Sequence, residues 1–176
     1  VATINSASGV VTPVAAGTAT MTYTVTGTGG CANATATRTV TVTAAPTAGT
    51  LSGTQTVCSN GTTTFASTVS GGTWTSGNTA VATINSASGV VTPVAAGTAT
   101  MTYTVTGTGG CANATATRTV TVTAAPSAGT LSGTQSVCSN GTTTFASTVS
   151  GGAWTSGNTA VATINSASGV VTPVAA

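Results

Sequence analysis

The chain has 176 residues, 40% hydrophobic and 1% charged; it contains no Asp, Glu or His, and its two cationic side chains are Arg38 and Arg118, for a net charge of +2. Without His, Asp, Glu or Lys the usual groups for general acid–base catalysis are missing, as are the usual base beside a serine nucleophile and the carboxylate oxygens for a hard cation. The expectation is therefore not an enzyme, with no cofactor and no metal site; two arginines are also too few to neutralise a nucleic-acid backbone.

Threonine interrupts every apolar run, so no segment approaches the roughly 18–20 uninterrupted apolar residues of a spanning helix. The opening VATINSASGV has no basic head, apolar run and cleavage site, and an export signal is expected to lie outside this stretch. An internal period decides the architecture. VATINSASGVVTPVAA occupies residues 1–16, 81–96 and 161–176, a period of 80 residues. Residues 1–80 and 81–160 differ at three positions, Thr47 against Ser127, Thr56 against Ser136 and Thr73 against Ala153. Such a period suits a small sandwich that buries its own core. The segment TVTAAPTAGT places boundaries at Pro46 and Pro126, giving the C-terminal part of a repeat at 1–45, a complete repeat at 46–125 and the N-terminal part of another at 126–176. The parts at the two ends overlap by sixteen residues. That surplus is not needed for head-to-tail completion and points to a sample of a longer array.

Within 46–125, the stretches AGTLSGTQTVC, TTTFASTV and GGTWTS read as the first three strands, separated by SNG and SGG turns. AVATIN and GVVTPV supply two short strands. In GTATMTYTVTG, Ala99, Met101, Tyr103 and Val105 share one face and threonines the other, the pattern of a half-buried antiparallel strand. TGTGGCAN turns the chain, and ATATRTVTVT continues with Ala114, Ala116, Val120 and Val122 on one face, completing a hairpin. About seven strands with regular turn signals predict an all-β, tandem immunoglobulin-like β-sandwich.

The run WTSGNTAVATINSASGVVTPVAAGTATMTYTV, from Trp74, resembles the second half of bacterial immunoglobulin-like group 2 domains, and the resemblance extends over the 80-residue repeat. It implies the tandem domains of surface adhesins and giant bacterial extracellular proteins, hence a stalk or display role, and carries no catalytic residue. Many members also have acidic residues, which this chain lacks, so no calcium-stiffened linker is implied.

Trp74 and Trp154 sit in GG(T/A)WTS strands, where a large ring fills the centre of a small sandwich, and Tyr23 and Tyr103 are assigned to the same core; an exposed carbohydrate-stacking platform is the alternative. Arg118, like Arg38, falls on the apolar parity of its strand with no carboxylate to pair with. Its guanidinium must reach water, carbonyl oxygens or an aromatic face: it either snorkels to water at an edge or domain end, or donates to backbone carbonyls of a neighbouring domain or subunit. Cys31, Cys58, Cys111 and Cys138 are disulfide candidates in an extracellular chain. Cys58 with Cys111 is the default pair within the whole repeat. A strand of about eight residues, roughly 27 Å, is expected to separate them, whereas a disulfide needs Cα atoms within about 7 Å. A staple between neighbouring domains or chains, and free thiols, stay open. Asn33, Asn60, Asn113 and Asn140 head N-x-[ST] sequons, read as turn chemistry.

The composition favours a structural array: an extracellular or cell-surface bacterial fibre, stalk or filament whose partners are copies of itself, because almost no charge opposes association. The alternative is an adhesin module that binds host or matrix carbohydrate or protein through sandwich loops. A hydroxyl lattice of ice-binding type and a transmembrane barrel are weaker readings of the threonine alternation.

Overall fold

A computed structural model describes residues 1–174, which contain eighteen strands and no helix, so the chain is all-β. Among these residues no helix is long and apolar enough to cross a membrane. The last two residues of the 126–176 part lie outside the described residues. Two compact units form, Val1–Ala124 and a second that begins at Ala125.

Residues 1–45 hold β1 (Ala2–Ile4), β2 (Val11–Pro13), β3 (Gly17–Val25) and β4 (Ala34–Val42). The next eighty residues hold β5 (Leu51–Ser52), β6 (Thr56–Cys58), β7 (Thr63–Thr64), β8 (Ala66–Ser67), β9 (Thr73–Ser76), β10 (Ala82–Ile84), β11 (Val90–Pro93), β12 (Gly97–Val105) and β13 (Ala114–Thr123). The second compact unit holds β14 (Leu131–Ser132), β15 (Thr143–Thr144), β16 (Ala146–Ser147), β17 (Ala162–Ile164) and β18 (Val170–Pro173). Strand pairing never crosses from one of these three stretches to another. The sheets are β1-β2 and β3-β4 in the first, β6-β13-β12-β9, β10-β11-β7 and β5-β8 in the next, and β15-β18-β17 and β14-β16 in the last.

The long hairpin follows directly from the alternation of threonine with apolar residues. β12 and β13 pair antiparallel from Gly97↔Val122 to Val105↔Ala114, which sets threonine opposite threonine at 98↔121, 100↔119, 102↔117 and 104↔115. The other face carries Ala99, Met101, Tyr103, Val120 and Val122, all buried. Those side chains join Val57 of β6, Trp74 of β9, Ala82 of β10, Val91 of β11, Phe65 and Ala48 in one apolar cluster, to which strands of two different sheets contribute.

The predicted strand count is corrected: seven become nine in residues 46–125, because two predicted strands break and change sheet. AGTLSGTQTVC divides at Gly53 into β5, which pairs with β8, and β6, which adds parallel to β13 with Val57 opposite Val122. Gly53 has φ +116°, and a Cβ there would collide with the Thr64 carbonyl oxygen and the Phe65 ring. TTTFASTV divides at Phe65, whose 1% exposure reflects insertion of the ring between sheets. The β7 side pairs with β11 and the β8 side with β5.

Truncating a fully buried aromatic ring removes its transfer free energy and leaves a cavity. Phe65→Ala is expected to lower the stability of the complete repeat by about 3–5 kcal/mol, read as a shifted urea transition by circular dichroism. Phe145→Ala, at the repeat-equivalent but half-buried position, is expected to cost clearly less; equal losses would contradict this packing.

Candidate interaction surface

The complete repeat closes its core with three rings and one arginine. Trp74 lies 4.9 Å from Tyr103 and 6.1 Å from Phe65 between ring centroids, both tilted. Such tilted contacts use the ring edge against the neighbouring face. The Tyr103 hydroxyl accepts from the Gly72 N–H and donates to the Val69 carbonyl, each at 2.8 Å. β9 is thereby tied to β12 at both backbone and side chain, through pairing that runs from Met101↔Ser76 to Thr104↔Thr73.

Arg118 solves the problem of a cation without an anion by donating to backbone oxygens. Its Nε and Nη2 reach Gly53 O at 3.1 and 2.6 Å, its Nη1 reaches Leu51 O at 3.1 Å, and its guanidinium carbon stands 5.5 Å from the Phe65 ring centroid. Charged donors strengthen these bonds, and the ring face adds cation–π attraction. Arg118 therefore reaches carbonyl oxygens and an aromatic face inside its own repeat, which corrects the expectation that those carbonyls belong to a neighbouring domain or that the head snorkels to water. The kink at Gly53 that turns two carbonyls toward β13 is not evident from local pattern.

The same side chains are open where the rest of the repeat is not beside them. Met101 is fully buried and Tyr103 5% exposed, whereas Met21 is half-buried and Tyr23 73% exposed. Assignment of Tyr23 to a core is corrected among the described residues, where β3 pairs with β4 alone and the ring is 73% exposed. Arg38 is likewise exposed. A groove of about 890 Å³ runs between the Asn5–Gly9 turn and the β3-β4 face, lined by Ile4, Val11, Met21, Tyr23, Arg38 and Val40 among others. In the complete repeat that space is filled. Phe65 N–H donates to Gly89 O and Trp74 N–H to Ser86 O, both at 2.9 Å. A Cβ added at Gly89 would run into Phe65 and Trp74, whereas one added at Gly9 would meet nothing within 4 Å.

The second compact unit presents the opposite deficit. Phe145 and Trp154 keep their bonds to Gly169 O and Ser166 O at 2.9 Å and stand 6.0 Å apart. Both remain half-buried, so Trp154 too is corrected from a closed core to an open one. Leu131 is 59% exposed against a half-buried Leu51. Residues 136–138 and 153–156, counterparts of β6 and β9, form no strand. A cleft lined by Leu131, Ser132, Gly133, Gln135, Phe145 and Trp154 opens there. Its Leu131, Gly133 and Phe145 are the counterparts of the three residues that hold Arg118.

All four cysteines are free thiols, and the default Cys58–Cys111 bond is not formed. Cys58 pairs with Thr123 at the C-terminal end of β13, while Cys111 precedes the N-terminal end of that strand at Ala114, so the length of the strand separates them. Cys111 instead places its Sγ 3.6 Å from Thr43 O and 3.9 Å from Ala44 O. The sequon residues Asn33 and Asn113 accept the Gly27 and Gly107 N–H groups at 3.0 Å, the turn chemistry expected of them. Asn60 and Asn140 are exposed in turns.

Searches against protein-family models, curated proteins and solved structures each return no match to this chain. Arg118→Met deletes three N–H donors from two carbonyls and is expected to destabilise the complete repeat by about 1–3 kcal/mol. Arg38→Met, on an exposed side chain, is expected to stay within about 0.5 kcal/mol; urea unfolding of the two variants checks the difference.

Proposed function

We propose that the chain is a structural repeat array, a stretch of an extracellular bacterial fibre, stalk or filament built from immunoglobulin-like sandwiches that associate with copies of themselves. The observation that carries this reading is the complete repeat's consumption of its own chemistry. Its one cation is bound to its own backbone oxygens, its large rings are packed against one another, and no buried side-chain N or O atom among the described residues lacks a partner. What remains outside is mostly threonine, serine, asparagine and glycine, with small apolar residues such as Val94 at 59% exposure, a surface without acids or imidazoles. Such a surface offers neither catalytic groups nor charge repulsion between copies, and near-zero net charge favours association.

With no carboxylate or imidazole side chain, no side chain changes charge between about pH 4 and pH 7. Filaments of this chain are expected to persist across that range and to respond weakly to salt, which electron microscopy of equilibrated samples checks. Dissolution across the same range would contradict the proposal. Binding of the soluble chain to a glycan array would favour an adhesive module.

A further inference from the structure

We propose that the hairpin turn Thr108–Cys111 is the surface by which a repeat holds the end of the repeat before it, closing on Thr43 and Ala44 so that consecutive repeats move as one stiff body. Strand pairing never crosses between residues 1–45 and 46–125, yet Val1–Ala124 is one compact unit. Domains joined by a small interface move relative to one another by default. The coupling therefore rests on the connecting segment and on what leans against it.

That segment is short and stiff in itself. The chain is held at Val42, opposite Gly17 in the β3-β4 ladder, and again at Ala48, which is 5% exposed in the core and accepts the Ser67 hydroxyl at 2.7 Å. Between them runs TAAPT, residues 43–47, without the glycine and serine of a flexible linker. Proline fixes its own φ and biases the residue before it to extended backbone, so Pro46 restrains Ala45 as well. Thr43 and Ala44 are left as the residues where the connection can bend, and they are the two that the turn touches.

The turn is shaped to reach them. Gly109 and Gly110 have φ +61° and +84°, and the Cys111 N–H donates to Thr108 O at 3.1 Å, the pattern of a type I′ turn. Asn113 Oδ1 accepts the Gly107 N–H at 3.0 Å and fixes the base of the loop. Cys111 Sγ then stands 3.6 Å from Thr43 O and 3.9 Å from Ala44 O. A thiol is a weak donor, so closeness of fit matters more here than bond strength. Gly109 provides that fit: a Cβ there would collide with Thr43 Oγ1 and stand 2.9 Å from Thr43 Cβ, while one at Gly110 would meet nothing within 4 Å. Backbone conformation alone accounts for Gly110; Gly109 has the contact with Thr43 in addition. Both sides of the contact recur with the period, TGTGGCAN at 26–33 and 106–113 and TVTAAP at 41–46 and 121–126, so the same clasp suits each successive joint.

This inference deepens the array reading and rests on it for its role, since a stiff joint makes a rod of what would otherwise be beads on a string. The test uses the full chain, reduced, with a ketone-bearing amino acid in place of Thr20 and of Thr100, which are exposed on β3 and β12. Nitroxide labels attached to the ketones leave all four cysteines native. Diluted with unlabelled chain, the sample gives the distance between positions 20 and 100 within single chains by double electron–electron resonance. One narrow distance distribution is expected. Gly109→Ala should lose it to a broad one, whereas Gly110→Ala, which also places an L-residue at positive φ in the same turn, should keep it. A broad distribution in the parent chain, a narrow one in Gly109→Ala or a broad one in Gly110→Ala would each overturn the proposal. Persistence of filaments across pH is read separately, so a loose joint and a failed array reading are distinguishable.

Discussion

The contact among Phe65, Trp74 and Tyr103 is the constraint on which the rest of the fold depends. The chain has two residues each of Phe, Trp and Tyr, so a repeat holds one of each and has no other large ring to fill its centre. Phe65 breaks its strand to reach the centre, Trp74 draws β9 onto β12, and Tyr103 ties the glycine turn before Trp74 to the hairpin. Small residues line the remaining volume, with Ala48, Ala82 and Ala99 buried around the rings. Burial of a large ring contributes far more than an alanine contact, so the hairpin half and the aromatic half of a repeat need each other.

Arginine placement shows how a chain without acids manages its only charge. A guanidinium on the apolar side of a strand is costly unless its donors are filled, and carbonyl oxygens are the acceptors available. The Gly53 kink supplies two of them, together with the face of Phe65. The same arrangement removes charge from the outer surface. The exposed Arg38 is the exception in the partial repeat.

The β pattern was legible because alternation of threonine with apolar residues sets strand parity without long-range information. The faces of β12 and β13, the hairpin between them and the burial of Trp74 and Tyr103 all follow from that parity and from ring size. The breaks at Gly53 and Phe65 were not legible, since each depends on a sheet partner distant in sequence. The target of Arg118 lies 65 and 67 residues away, and the parallel addition of β6 to β13 has no local signature. Tyr23 and Trp154 mark the clearest limit. Their local sequences equal those of Tyr103 and Trp74 apart from Ala153 for Thr73, yet their environments differ because burial belongs to the partner segment as much as to the residue.

Hydrogen exchange on the reduced, dilute chain tests the central claim most directly, because the differences at positions 56/136 and 73/153 identify the otherwise similar peptides. Amides of residues 56–58 and 73–76 lie in strands against the β12-β13 hairpin, and those of 136–138 and 153–156 do not. The account predicts slow exchange in the first pair of segments and fast exchange in the second, apart from the Trp154 amide, which donates to Ser166 O at 2.9 Å. Equal protection of the two pairs in the monomer would contradict it.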